Sequence, residues 1–367
     1  MKAISRKKII IATGGTGGHI FPAYSMAKNF LKKNYSVEII TDKRGLKYLD
    51  KHKDIKLILN NSTTVFKKNI LNSLLSIFII FFSYMKSLAI LYKLKPSIVF
   101  GMGGHASFPV CIAAKTLNIP FIIYENNIQI GKSNKYLLPF AFKIFVSYQD
   151  VVGIKIKYSH KVIVTGNIIR EEILNFKKIN KFTPEVLNIL VLGGSQAAKA
   201  FGELLPAVFE QCKKKNIKIK IFQQCTESQN EKLNRTYKDF NFDFEIFNFT
   251  NNILKYFAKT ELAITRSGSS VTAELINCNI PFITIPYPYA ADSHQYKNAT
   301  YFKKKGYSLL VEEKEVNEKL FSLIESFYKD KKLLNKMIEK QKSYSDKETL
   351  SKINRVIESL KKWVKFK

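Results

Sequence analysis

Four times along this 367-residue chain a short apolar run stops in a glycine-bearing turn, and a helical pattern begins directly behind it. The runs Lys8–Ala12, Ser97–Gly101, Leu187–Leu192 and Leu262–Thr265 lead into four such turns. These are Thr13-Gly14-Gly15-Thr16-Gly17-Gly18-His19, Gly101-Met102-Gly103-Gly104-His105, Gly193-Gly194-Ser195-Gln196-Ala197-Ala198 and Arg266-Ser267-Gly268-Ser269-Ser270. Further runs at Ser36–Thr41, Phe121–Tyr124, Lys143–Ser147, Lys218–Gln223, Phe244–Phe247 and Phe282–Ile285 read as buried strands between helix-like segments such as Phe21–Lys33 and Pro109–Leu117. Strands alternating with helices mean parallel βαβ units. The rhythm restarts after a charged, broken stretch near residues 170–184, and from residue 316 onward the pattern is helical. The expectation is an α/β chain with two doubly wound domains in tandem. Ligands bind such sheets beyond the carboxyl ends of the strands, and two sheets facing each other make a cleft.

The length suits two domains at about 100–200 residues each. With 46% hydrophobic residues, each has the means to bury a core. Lys and Arg number 60 against 29 Asp and Glu, a net charge of +31. A field of that sign draws phosphates, anionic lipid headgroups or nucleic acid. Most of these lysines read as solvated surface, but any large partner is expected to be anionic. The lysines scatter instead of lining one groove with stacking aromatics, which argues against nucleic acid. Cys111, Cys212, Cys225 and Cys278 match neither a zinc site nor a disulfide framework and suit a reducing cytosol. Behind the basic N-terminus, the apolar run Ile9–Ala12 is too short for the core of a signal peptide.

One segment stands apart. From Asn69 to Met85 there is no charge, with Lys67 and Lys68 before it and Lys86, Lys93 and Lys95 after it. Its length is at the bottom of the range for a spanning helix, about 17–25 residues, and Ser73, Ser76 and Ser83 interrupt it. It also falls between two strands of one sheet, where a span would split the domain. An interfacial helix flanked by lysines is predicted; a buried crossover helix is the alternative.

Glycines let backbone N–H groups approach an anion, and a helix start adds about half a positive charge. The first loop is not a dinucleotide fingerprint, because the last glycine of G-x-G-x-x-G, counted from Gly15, falls on Ile20. Two glycine loops at one sheet edge suit an extended diphosphate or a bulky head group. In the second half, Ser hydroxyls and helix-start amides suit a nucleoside diphosphate. Glu274 either accepts the hydroxyls of a ribose diol or complements a helix dipole. Gly131-Lys132-Ser133 is not a Walker A ending, since Asn126 stands where its first glycine belongs. No Asp-x-Asp pair occurs, so no metal is predicted and the diphosphate charge falls to helix ends, Arg and Lys.

Of the five histidines, His19 sits at the tip of the first glycine loop, where it acts either as a general base near neutral pH or as a hydrogen-bonding residue. Tyr124-Glu125-Asn126-Asn127 follows a buried strand and points polar groups toward the ligand crevice. Arg170 stands at the domain junction, either clamping a phosphate or lying on a surface linker. Gln295 either bonds a sugar hydroxyl or caps a helix.

These motifs, in their order and spacing, resemble the MurG family of N-acetylglucosamine transferases nearly end to end. The match includes Gly14–His19, Gly101–Gly104, Glu125 with Asn127, Gly166-Asn167 with Arg170, Gly193–Gln196, Arg266–Gly268 with Glu274, and Pro286–Gln295 with its Tyr296-Lys297-Asn298-Ala299 tail. The resemblance implies a GT-B fold of two Rossmann-like domains facing a cleft. Residues 1–165 would form the acceptor and membrane-contact domain and 166–342 the UDP-sugar domain, with 343–367 a helix packing back on the first. It implies an inverting transfer, without metal or other cofactor, from UDP-N-acetylglucosamine to the 4-hydroxyl of undecaprenyl-diphospho-muramoyl-pentapeptide. Peptidoglycan synthesis at the cytoplasmic face of the bacterial inner membrane follows, by a protein peripheral to an anionic surface. Ser195, Arg170, Thr250, Ser269 and Gln295 would contact the donor, Glu274 its ribose, and Thr16, Gly17, Gly18 and Asn127 the donor sugar and its surroundings. Gly14, Gly15, Gly103 and Gly104 would hold the acceptor diphosphate. His19 and Glu125 are the candidates for the chemistry, and the apolar helix near residues 70–92 matches the family's membrane-contact patch.

Several positions depart from the family. Tyr124 stands where a His is frequent, Ala197 replaces a usual Gly, Ser269 and Ser270 replace more apolar residues, and Thr250 replaces a common Ile. The competing readings are a UDP-sugar 2-epimerase of the same fold class, which needs no lipid acceptor, and a non-catalytic membrane-surface protein, which would bind UDP without transfer.

Overall fold

The computed structural model describes residues 7–49, 54–63, 70–178, 185–250 and 252–364, without the side chains of 70–73, 194–198 and 360–364. The chain divides into two compact units, Met1–Glu171 with Asp346–Lys367, and Glu172–Ser345.

The first unit is built on strands β1 (Lys8–Ala12), β2 (Ser36–Thr41), β3 (Lys56–Leu59), β4 (Ile98–Gly101), β5 (Phe121–Glu125), β6 (Lys143–Val146) and β7 (Val162–Val164). They form one parallel sheet in the order β3-β2-β1-β4-β5-β6-β7. Both faces are covered, which is why β1 is apolar without alternation. Ile9 and Ile11 pack on one side with Ile20, Met26 and Phe30 of helix α1 (Gly17–Lys32), and with Ile353 and Ile357 of the C-terminal helix Thr349–Val364. Ile10 and Ala12 pack on the other with residues such as Leu91, Val110 and Ala114. Ile9, Ile10 and Ile11 have no exposed surface, and truncating such a residue to Ala costs about 2–5 kcal/mol. Asp346 anchors the returning chain by accepting the Asn167 N–H at 2.7 Å.

Helix α2 (Lys43–Leu49) follows β2, and helix α3 (Ile70–Leu94) precedes β4 and packs on α4 (Ser107–Thr116). The face α3 turns to solvent is apolar. Leu74, Leu75, Ile77, Phe78, Phe81, Phe82 and Met85 are all exposed, Phe82 to 67%. The face it turns to the protein carries Ser76, Ser83 and Ser87, all buried. Asn60 donates to the Ser83 carbonyl and to Ser87 Oγ at 3.1 and 2.8 Å. The serines therefore let α3 approach the domain closely instead of weakening an apolar face. A buried crossover helix is excluded, because so much large apolar surface lies open.

The second unit contains β8 (Leu187–Leu192), β9 (Ile219–Gln224), β10 (Asp243–Phe247), β11 (Leu262–Thr265), β12 (Phe282–Thr284) and β13 (Ser308–Leu310), a parallel sheet ordered β10-β9-β8-β11-β12-β13. Leu187, Ile189 and Val191 pack against Phe201, Leu205 and Val208 of the helix Gly194–Lys214. The strands not anticipated from sequence, β3, β7 and β13, are all short edge strands.

Candidate active site

In the first unit the strand order reverses between β1 and β4, the switch point at which open α/β sheets take ligands. Both glycine loops of this half leave the sheet there, and they interlock. Gly103 and Gly104 adopt φ of +88° and +78°. A Cβ on Gly104 would lie 2.4 Å from the Gly14 carbonyl oxygen, and one on Gly103 2.9 Å from the His19 imidazole. Helix α1 starts at Gly17, inside the first loop, with Thr16 at its N-cap. The expected start at Phe21 is thus late by a full turn: Gly17, Gly18 and His19 are the first helical residues, and the His19 N–H closes the turn on the Thr16 carbonyl at 3.0 Å. Thr13 Oγ1 ties the turn by donating to the His19 carbonyl at 3.1 Å.

Asp42, at the carboxyl end of β2, closes the floor of this loop. Its Oδ1 accepts the N–H groups of Gly15 and Gly45 at 3.3 and 2.8 Å. Its Oδ2 accepts Arg44 Nε and Nη2 at 3.2 and 2.9 Å. Burial raises its pKa, but the Gly45 N–H, the Arg44 guanidinium and the Gly15 N–H together outweigh burial and hold the carboxyl below its ordinary value. Burial first, then the charge of Arg44, push the His105 pKa below its ordinary value against the pull of Asp42, favouring the neutral ring. Sequence reasoning missed Asp42 and Arg44; the signal available was their place just after a strand end.

The loop after β5 joins the same region. Asn126, buried, donates to the Gly18 carbonyl at 2.9 Å. Glu125 is only 2% exposed. Its Oε1 accepts Asn127 N and Nδ2 at 3.1 and 3.0 Å, and its Oε2 accepts Gly131 N and Asn134 Nδ2 at 2.8 and 3.0 Å. With four donors on one carboxylate, Glu125 holds the loop 126–134 in shape and has no lone pair turned outward for a substrate proton. The geometry makes it an organiser of Asn127, against its candidacy for the chemistry. Tyr124 points inward, its hydroxyl on Ser147 Oγ at 2.9 Å and accepting the Ile168 N–H at 3.0 Å, and it cannot serve as a base there. Arg170 places its guanidinium 5.6 Å from the Phe21 ring, over α1.

In the second unit the reversal lies between β8 and β11, and its two helix-starting loops emerge there. The helix Gly194–Lys214 is capped by Gly193; Ser195 lies outside the described side chains. The helix Ser269–Asn277 is capped by Gly268 at φ −69° and ψ 134°, with Ser269 buried at its first position. A Cβ on Gly268 would meet nothing within 4 Å. Glu274 is half-buried in the second turn, outside the first turn where a carboxylate complements the dipole. Ser267 Oγ donates to the Gln295 carbonyl at 2.7 Å, and Gln295 Oε1 accepts the Tyr287 N–H at 3.0 Å. Gln295 therefore shapes the turn beside Gly268, and its Nε2 has no partner among the described residues. Arg266 is structural: it is buried, donates to the carbonyls of Ile285 and Pro286, and pairs with Glu313 at 2.5 Å. Thr250 stands apart, beyond edge strand β10, where its hydroxyl accepts the Asn252 N–H at 3.0 Å.

Comparison with known proteins agrees with this layout. The glycosyltransferase family 28 N-terminal domain matches residues 9–146 and the family's C-terminal domain residues 188–353. A Pelagibacter ubique protein is 37% identical over 314 residues, 85% of this chain and 86% of its own. It is named UDP-N-acetylglucosamine-N-acetylmuramyl-(pentapeptide) pyrophosphoryl-undecaprenol N-acetylglucosamine transferase. A Rickettsia felis protein of the same name is 35% identical over 332 residues, covering 87% and 91% of the two chains. Among solved structures, Acinetobacter baumannii MurG superposes with a TM-score of 0.75 at 24% identity, over 96% of this chain and 99% of that one. A putative UDP-N-acetylglucosamine 2-epimerase from Listeria monocytogenes reaches 0.65 at 14% identity, over 98% and 97%. The structural likenesses establish the fold, which transferases and epimerases share, while the sequence relatives separate the two. The chain belongs to glycosyltransferase family 28 and, within it, to the MurG family of N-acetylglucosamine transferases.

Proposed function

We propose that the protein transfers N-acetylglucosamine from UDP-N-acetylglucosamine to the muramoyl unit of a pyrophosphoryl-undecaprenol-linked N-acetylmuramyl-pentapeptide, a step of peptidoglycan synthesis. The observation that carries this reading is the identity of 37% with a transferase of that name over 85% of the chain. The paired loops at both switch points are chemically suited to it. The second unit holds the UDP, with the N–H groups at the starts of helices Gly194–Lys214 and Ser269–Asn277 directed at the diphosphate. Glu274 takes the ribose hydroxyls, Gln295 Nε2 a sugar hydroxyl, and Ser195, Thr250 and Arg170 further parts of the donor. Thr16, Gly17, Gly18 and Asn127 border the transferred sugar. The acceptor 4-hydroxyl attacks the anomeric carbon from the side opposite UDP, so the link inverts to β-1,4. His19, braced against Gly103, takes the hydroxyl proton. Leaving-group charge is stabilised by the helix starts, which are oriented before the reaction begins, and this reading uses no metal.

The inverted amphipathicity of α3 supports membrane attachment. Its exposed row Leu75, Phe78, Phe82 and Met85 advances by three or four residues, one stripe of a helix. That stripe suits an acyl-chain boundary, and Lys86, Lys93 and the +31 net charge suit an anionic headgroup layer. We therefore place the protein on the cytoplasmic face of the bacterial inner membrane, peripherally bound. The test is an assay with labelled UDP-N-acetylglucosamine and a short-chain lipid-linked muramoyl-pentapeptide. Acceptor-dependent UDP release with a β-1,4-linked product is expected, and His19→Ala should lower kcat by about 10²-fold or more. Conversion of the UDP-sugar without acceptor would replace this reading with an epimerase.

A further inference from the structure

We propose that Arg44, locked by the buried carboxylate of Asp42 beside the interlocked glycine loops, clamps a phosphate oxygen of the acceptor's diphosphate; the proposal rests on the transferase reading above. The side chain of Arg44 is 58% exposed and that of Asp42 6%. Such a pair, two residues apart, is ordinarily a weak surface ion pair. This one is built differently. Both Arg44 contacts, from Nε and Nη2, go to the single oxygen Oδ2, while Oδ1 is committed to the Gly15 and Gly45 amides. One carboxylate thus fixes the glycine loop and the guanidinium together.

Backbone constraints hold the arrangement. A Cβ on Gly45 would lie 2.0 Å from Thr41 Oγ1, so the turn carrying Arg44 closes only over glycine. Gly15 has φ +89°, and the one neighbour that its Cβ would meet within 4 Å is Arg44 Nη2, at 3.7 Å. The guanidinium therefore lies over the open side of the loop. Its Nη1 edge, with two N–H donors, has no partner among the described residues. A guanidinium whose rotamer is already fixed loses less freedom on binding, and its planar fork fits phosphate oxygens. The ionised Asp42 balances the charge of Arg44, so what the loop mouth offers an anion is directed N–H donors and not net charge. An anion entering over the open side of Gly15 meets the Nη1 edge of the guanidinium, since Nε and Nη2 already donate to Asp42.

The proposal assigns Arg44 to binding and Asp42 to positioning. Wild type, Arg44→Ala, Arg44→Lys and Asp42→Asn would be assayed with a soluble short-chain acceptor in nonionic, vesicle-free buffer, with folding followed by circular dichroism. Arg44→Ala should raise the acceptor KM by about tenfold or more, with kcat, donor KM and UDP Kd each within twofold. Arg44→Lys, which keeps charge without the fork, should fall between. Asp42→Asn should move the acceptor KM in the same direction; should that variant fail to fold, the Arg44 pair still decides. An unchanged acceptor KM in both Arg44 variants overturns the proposal. So does a rise in donor KM instead, which would assign Arg44 to the UDP phosphates. Weaker binding to anionic vesicles with an unchanged KM overturns it too, making Arg44 a headgroup contact. If wild type shows no transfer, the transferase reading fails separately. Calorimetric titration with inorganic pyrophosphate, tighter for wild type than for Arg44→Ala, then still tests the clamp, and equal affinities would sink it.

Discussion

Gly268→Ala separates the protein's own needs from a ligand's. Gly268 has φ −69° and ψ 134°, which any L-residue adopts, and an added methyl meets nothing within 4 Å. On folding, the substitution stiffens the unfolded chain, a gain of about 0.4–1 kcal/mol. Replacing glycine by alanine at a helix N-cap loses roughly as much, so stability should change by less than about 0.5 kcal/mol. Binding is another matter. A phosphate oxygen accepting the helix-start amides sits about 2.9 Å from nitrogen, whereas a methyl carbon needs about 3.5 Å from its neighbours. The diphosphate must retreat or lose one charge-assisted bond, worth about 1.5–3 kcal/mol, which is about tenfold or more in Kd. Isothermal titration with UDP, beside a thermal melt, reads both effects. A UDP Kd within twofold of wild type in a normally folded variant would refute diphosphate binding at this helix start.

Other perturbations follow from the same geometry. Glu125→Gln turns an amide donor toward the donors of Gly131 and Asn134; denaturant unfolding should show the first unit weakened by about 2–3 kcal/mol, and lost turnover at full stability would instead restore Glu125 as a base. Lys178 donates to the Thr260 carbonyl, and burial, against the pull of Glu261, lowers its pKa to about 8. The unfolded chain then holds that proton up to about pH 10.4 and the folded one does not, so stability rises with pH between roughly 8 and 10. Melts of Lys178→Met across that window should lack this rise; an identical pH profile in both proteins would count against the buried ammonium. Phe78→Ser with Phe82→Ser should weaken binding to anionic vesicles by about tenfold or more, from about 1–2 kcal/mol of apolar contact per ring, and leave vesicle-free kcat unchanged. Unaltered sedimentation with vesicles would remove α3 from the contact.

What could be read in the sequence follows from how burial acts. Strand β1 declares itself because both sheet faces are covered and every residue from Ile9 to Ala12 must be apolar. Strand β13, three residues at a sheet edge, carries too little pattern to distinguish it from a loop. Side-chain direction is harder still. Tyr124 and Glu125 are adjacent at one strand end, yet the first reaches back to the Ile168 N–H and the second forward to Gly131, since successive strand residues face opposite ways. Arg266, in a loop suited to phosphate, is instead consumed by Ile285, Pro286 and Glu313. Asp42 stayed invisible because a lone Asp after a strand looks like ordinary loop polarity.

The four glycine turns look alike in sequence, and the structure gives them different causes. Gly104 is required by the protein, because its Cβ would strike the Gly14 carbonyl oxygen at 2.4 Å and its φ is +78°. Replacing it breaks the loop whatever the ligand. Gly268 is required by nothing in the described chain, since neither its φ nor its surroundings exclude a side chain. Gly15 lies between the two: its φ of +89° demands glycine, yet its open side faces only Arg44. A glycine demanded by packing says how a loop is built. A glycine that packing does not demand, at a helix start on a switch point, says what approaches it, and in this chain that inference points most directly to Gly268.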